Sequence, residues 1–108
     1  MFSKDLIAAS ATPIVLSILR EGDNYGYAII ERVHHYSDGD LAWKDGMLYP
    51  ILYRLERKGF IESYTDTSGA GRKRKYYRLL ESGRAALATQ RAQWQRLNAI
   101  FTKLEAVT

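Results

Sequence analysis

The sequence predicts a mainly α-helical protein with one small β-hairpin and a long C-terminal helix. Three observations carry that expectation. Apolar residues recur at helical spacing in three stretches before residue 60, two short β-type runs flank a glycine-containing basic loop, and the stretch 82–106 has Gly83 as its one helix breaker. At 108 residues the chain makes one domain with a modest core. Its 46% hydrophobic and 26% charged residues are those of an ordinary globular protein. The net charge is +4 and the pI about 9.4, a mild bias toward acidic partners. The distribution says more: residues 54–84 hold nine basic side chains against four acidic ones.

Residues 2–10 read as a short helical arm whose apolar side, including Leu6 and Ile7, needs a partner. Two readings of the next segment stay open: Thr12 caps a helix that starts at Pro13, or Pro13 kinks one longer helix. Either way Ile14, Val15, Ile18 and Leu19 share a face and Gly22 ends the helix. Asp23 and Asn24 offer the next cap, and Ile29, Ile30 and Val33 define a second amphipathic helix over 25–35. Turn formers fill 37–44, where Trp43 is expected to plug the core with its indole N–H near a polar group.

The stretch 45–59 is the organising element. Leu48, Ile51, Leu52 and Leu55 form one apolar stripe, with Asp45 as the expected N-cap and Gly59 at the left-handed C-terminal position. Steps of about 100° per residue put Gly46, Pro50, Tyr53 and Arg57 on the opposite face, flanked by Tyr49 and Arg54. That face is small at its start and basic at its end. Such a helix can bring its backbone close to a groove wall and reach base edges and phosphates with the longer side chains. Next come the strand IESYTDT, the loop SGAGRKRK and the strand KYYRLL, in which Gly69 and Gly71 let the tip bend and Arg72, Lys73 and Arg74 charge it. Helix, turn, helix and basic hairpin in this order make a winged helix-turn-helix. In the terminal helix, Leu87, Trp94, Leu97, Phe101 and Leu104 form a heptad-like seam that asks for a second chain. The division expected is 1–80 for the winged domain with its arm and 81–108 for a dimerisation helix.

Together these motifs resemble the PadR family of winged-helix transcriptional regulators. Tyr25-Gly26-Tyr27-Ala28-Ile29-Ile30 resembles the opening of the family's second helix. Gly46-Met47-Leu48-Tyr49-Pro50 with Arg54-Leu55-Glu56 and Gly59 resembles its recognition helix. Arg74-Lys75-Tyr76-Tyr77-Arg78-Leu79 with Gly83-Arg84 resembles the second wing strand and the start of the last helix. The resemblance implies a sequence-specific DNA-binding homodimer, usually a repressor on a palindromic operator, with small-molecule effectors in some members. It implies DNA contacts at Tyr25, at Tyr49 and its neighbours, and at Arg72 to Arg74; the basic face adds Tyr53, Arg54 and Arg57. It also resembles the compact branch, in which the terminal helix and the first helix make the dimer, and in some members a terminal-helix tryptophan, here Trp94, lines a ligand cavity between subunits. Two positions depart from the resemblance: Met47 stands where the family usually has serine or threonine, and Leu80 where a threonine usually caps the terminal helix, which leaves Ser82 as the expected cap.

Other chemistry finds little footing. His34 and His35 are neighbours on a helix and point about 100° apart, with no cysteine and no spaced third ligand to complete a metal site. Asp38, Asp40 and Asp45 suit turns and caps. Gly69-Ala70-Gly71 lacks both the Walker and the Rossmann context. No enzyme, no cofactor and no metal are expected. Absence of cysteine, of an apolar run near the roughly 18 residues a membrane span requires and of a signal-peptide pattern makes the cytoplasm the expected location, with no membrane partner. The alternatives from other classes are a winged-helix protein-interaction module and a protein that is primarily a small-molecule sensor.

Overall fold

A computed structural model describes residues 2–68 and 71–106. Gly69, expected to help bend the wing tip, and Ala70 beside it lie outside the described residues. The elements run α1 (Lys4–Glu21), β1 (Asn24–Tyr25), α2 (Gly26–Tyr36), α3 (Asp45–Arg57), β2 (Ile61–Asp66), β3 (Arg74–Leu79) and α4 (Glu81–Ala106). The three strands form an antiparallel sheet in the order β1-β3-β2.

The first helix takes the longer of its two expected forms. It starts at Ser3, whose Oγ accepts the Leu6 N–H at 3.2 Å, and runs through Pro13. Buried Ala11 and Ile7, which packs against the core, hold the turn before the proline in place. Thr12 is therefore interior and caps nothing. Asn24 and Tyr25 also differ from expectation: they pair with Tyr77 and Tyr76 of β3, and Tyr25 becomes the N-cap of α2 without a side-chain cap bond. Sheet pairing has taken Asn24, and Asp23 accepts the Tyr64 hydroxyl at 2.7 Å instead of capping the helix.

Loop 37–44 is tied by Ser37, whose Oγ accepts the Leu41 N–H at 2.9 Å, and turned by Asp38 and Gly39 at positive φ. Leu41 and Trp43 drop from it into the core. The Trp43 indole N–H has no hydrogen-bond partner among the described residues, contrary to the polar neighbour expected. The ring is seated for its apolar area, and the orphan donor offsets part of that gain.

In α3 the cap is Lys44, and Asp45 is the first helical residue, where its charge faces the positive end of the helix. Gly59 closes the other end at φ +77°, with Phe60 N–H on the Leu55 carbonyl at 3.1 Å and Gly59 N–H on that of Glu56 at 3.0 Å. The same corner starts α4. Leu80 N–H reaches the Phe60 carbonyl at 2.9 Å. Ser82 is not the cap expected of it, because its hydroxyl donates to the Gly59 carbonyl at 2.5 Å and so ties α4 to the end of α3.

The core joins α1, α2, α3 and the inner side of the sheet through Leu16, Leu19, Ile29, Leu48, Leu52, Leu55 and Ile61. Leu87 belongs to it, 2% exposed, which corrects its place on the seam: it is spent inside its own chain and has no area left for a partner. Past the half-buried Trp94, α4 extends from the body, and the whole molecule measures 60 × 29 × 20 Å. Leu97, Ile100, Phe101 and Leu104 are exposed there, as is Leu6 on α1. Among the described residues no helix is long and apolar enough to cross a membrane.

Candidate nucleic-acid interface

Helix α3 turns Leu48, Ile51, Leu52 and Leu55 inward, and the opposite face is open. Gly46 has nothing within 4 Å of where a Cβ would stand, so the start of the helix offers bare backbone to an approaching groove. Tyr49, Tyr53, Arg54 and Arg57 are all exposed, and the Arg57 guanidinium lies 5.8 Å from the centre of the Tyr53 ring. The residues expected on this face are therefore on it.

Tyr49 leans across to α2. A Cβ at Gly26 would meet its hydroxyl at 2.3 Å, so only a glycine at the first position of α2 lets the ring lie there undisturbed. This contact opens a cleft of about 300 Å³ between the start of α2, Tyr49 and the wing. Tyr25, Arg72 and Arg74 line it with Tyr49, so four of the expected contact residues meet at one place. Lys75 lines it as well, and no acidic side chain does. With the positive end of α2 beside three cations, the cleft is chemically suited to a phosphate group. Lys73 is exposed on the wing next to it, and Gly71, at φ +76°, turns the chain just before Arg72.

Two networks hold the wing to the helices. On the inner side of the sheet, Glu56 of α3 accepts the Ser63 hydroxyl at 3.0 Å and faces the Lys75 ammonium at 3.9 Å. Beneath them the buried Tyr77 phenol is pushed up to about 12, first by burial, then by the charges of Glu56 and Tyr49. On the outer side, Tyr25, Tyr76 and Tyr64 make a row across β1, β3 and β2: Tyr25 meets Tyr76 edge-on at 5.4 Å, and Tyr64 stacks on Tyr76 at 5.8 Å. An arginine sits at each end of the row. Arg78 covers Tyr64 at 4.6 Å and is held by Glu62 at 2.9 Å and Asp23 at 3.4 Å. Arg74 covers Tyr25 at 4.3 Å and has no ion-pair partner among the described residues. The opposing strand residue, Asp66, is occupied by the Ser68 hydroxyl and N–H, which hold its carboxyl below the usual range.

The sequence places Gly26, Lys75 and Tyr76 in motif segments without assigning them to the site. The alternation of RKYYRL carries part of the signal, since a period of two puts Arg74, Tyr76 and Arg78 on one face and Lys75 with Tyr77 on the other. Nothing in the sequence announces that Tyr49 rests over residue 26.

A second, larger cavity of about 840 Å³ lies between α1, the end of α2 and α4. Pro13, Ile14, Ile18 and Trp94 give it an apolar lining, and its polar side mixes Glu21, Asp38 and Asp40 with Arg20 and Arg91.

The model of the transcriptional regulator PadR-like family matches residues 15–89. An uncharacterized protein of Lysinibacillus sphaericus is 33% identical over 101 residues, covering 94% of this chain and 93% of that one. Among solved structures, a transcriptional regulator from Clostridium thermocellum is similar with a TM-score of 0.84 at 31% identity, over 93% of this chain and 97% of that one. A PadR family transcriptional regulator from Eggerthella lenta gives a TM-score of 0.78 at 35% identity, over 93% and 85% of the two chains.

Proposed function

The chain belongs to the PadR-like family of transcriptional regulators, which are DNA-binding regulators and not enzymes, and on that premise we propose that it is a homodimeric repressor acting in the cytoplasm on a palindromic operator. Two copies of α3 enter successive major grooves about 34–36 Å apart. Tyr49, Tyr53, Arg54 and Arg57 face the groove, while Tyr25, Arg72, Lys73 and Arg74 serve the flanking backbone. The observation that carries this reading is the basic cleft without an acidic wall where Tyr25, Tyr49, Arg72 and Arg74 meet beside the recognition helix. Leu6, Trp94, Leu97, Phe101 and Leu104 form the dimer seam, a reading supported by the apolar area that Leu6, Leu97, Phe101 and Leu104 leave exposed on one chain, with Trp94 half-buried beside them. Selection from a pool of random duplex DNA at two salt concentrations tests the proposal. It predicts an enriched palindrome bound more weakly at the higher salt, and no enrichment at either salt would move the fold to a protein-binding role.

A second reading adds an effector. Trp94 lines the apolar cavity of about 840 Å³, a volume within the range of small-molecule sites, and its apolar walls beside the indole suit a small planar aromatic compound. Such compounds should quench Trp94 fluorescence and release the operator. A varied panel with no response would remove the effector and leave the DNA reading standing.

A further inference from the structure

We propose that Tyr25 acts on DNA through Arg74, as a positioning residue that holds the guanidinium ready for a backbone phosphate. The inference rests on the DNA-binding reading above and assigns a specific task within it. Tyr25 is fixed on two sides: its backbone is paired with Tyr76 in the sheet, and its ring meets the Tyr76 ring edge-on at 5.4 Å. The Arg74 guanidinium lies over that ring at 4.3 Å, the shortest of the cation–ring distances in the wing, and both residues line the basic cleft.

The two ends of the tyrosine row show what is special about this one. Arg78 is neutralised by Glu62 and Asp23, so its place over Tyr64 is structural. Arg74 has no carboxylate partner among the described residues, and the Tyr25 ring alone orients it. A stacked guanidinium keeps its N–H edge free in the plane of the group, which is the edge that grips phosphate. Stacking in the free protein also removes part of the entropy cost of ordering a long side chain on binding. The Tyr25 hydroxyl, in contrast, makes no hydrogen bond in the described structure, and the proposed task does not use it.

The test is a double-mutant cycle on the selected duplex, using the full chain. Tyr25→Leu should weaken binding roughly two- to fivefold, the range of an exposed cation–π contact, and the conservative Tyr25→Phe should restore the affinity. In an Arg74→Ala background, Tyr25→Leu should cost nothing further. A loss with Tyr25→Phe as large as with Tyr25→Leu would assign the contact to the hydroxyl and overturn the proposal, as would equal losses in both backgrounds. A measurement on the wild-type protein stands apart from variant folding: the Arg74 δ-methylene protons should be shifted upfield by the ring current, before and after DNA is added. Unshifted protons in the free protein would refute the stacking itself. Failure of the wild-type protein to bind any duplex would instead refute the reading on which this rests.

Discussion

A methyl group at position 26 would land on the Tyr49 hydroxyl, and the atom it meets is the end of a side chain that can swing away. Gly26→Ala should therefore keep the fold within about 1 kcal/mol while moving Tyr49 out of the cleft. Operator affinity should drop by about tenfold, the scale of one good polar contact, which a titration of labelled duplex would measure. Tyr77 makes a different claim, about pH. Its folded phenol ionises at about 12, against about 10 in an unfolded chain. Below pH 10 both states keep the proton and the stability is fully present. Between pH 10 and 12 the unfolded chain releases a proton that the fold retains, so stability falls by roughly 2–3 kcal/mol. Urea unfolding at pH 9.5 and 11.5 should show this loss in the wild-type protein and a smaller one in Tyr77→Phe. An equal fall in both would mean that Tyr77 ionises freely in the fold.

At the scale of elements, the junction of α3 and α4 is the tightest point of the chain. A Cβ on Gly83 would stand 2.1 Å from the Phe60 carbonyl oxygen, which is backbone and is itself held by Leu80 N–H. Gly83→Ala should cost about 3 kcal/mol, read as a lower urea midpoint with an unchanged slope. In the sequence this glycine interrupts a helical pattern and belongs to a motif, but neither announces its packing role, because its partner Phe60 is distant in sequence. The helices and hairpin of the winged motif were legible because each buries one face, and burial writes a period of 3.6 or 2 into the residues. Leu48, Ile51, Leu52 and Leu55 are the clearest instance, all buried where the stripe put them. β1 was not legible, because two residues carry no period and Asn24 looks like a cap. Pro13 was ambiguous because the residues that decide its context, Ile7 and Ala11, act through the tertiary core. For the candidate site, the exposed face of α3 and the basic wing could be read in advance, whereas their meeting with Tyr25 depends on β1 pairing with β3.

The whole molecule is an anchored winged domain with a helix that outruns it. Leu97, Phe101 and Leu104, at 43, 56 and 59% exposure, follow the three-and-four spacing of a helix that packs on another helix. Replacing Leu97 and Phe101 together by Glu should give a monomer in sedimentation, with the winged domain still folded. Operator binding should weaken by about a hundredfold or more, since each half-site then binds without its neighbour. A dimer that survives both charges would place the seam elsewhere. The central claim is that α3 and the wing read DNA as one basic surface, and the salt dependence of operator binding tests it most directly. In a dimer, Arg72→Ala with Arg74→Ala removes a pair of cations from each of two wings. If each cation neutralises one phosphate, the slope of log affinity against log salt should become shallower by about 3 to 4, with affinity reduced for every duplex tested. An unchanged slope and affinity would contradict the account, because the wing would then lie away from the DNA.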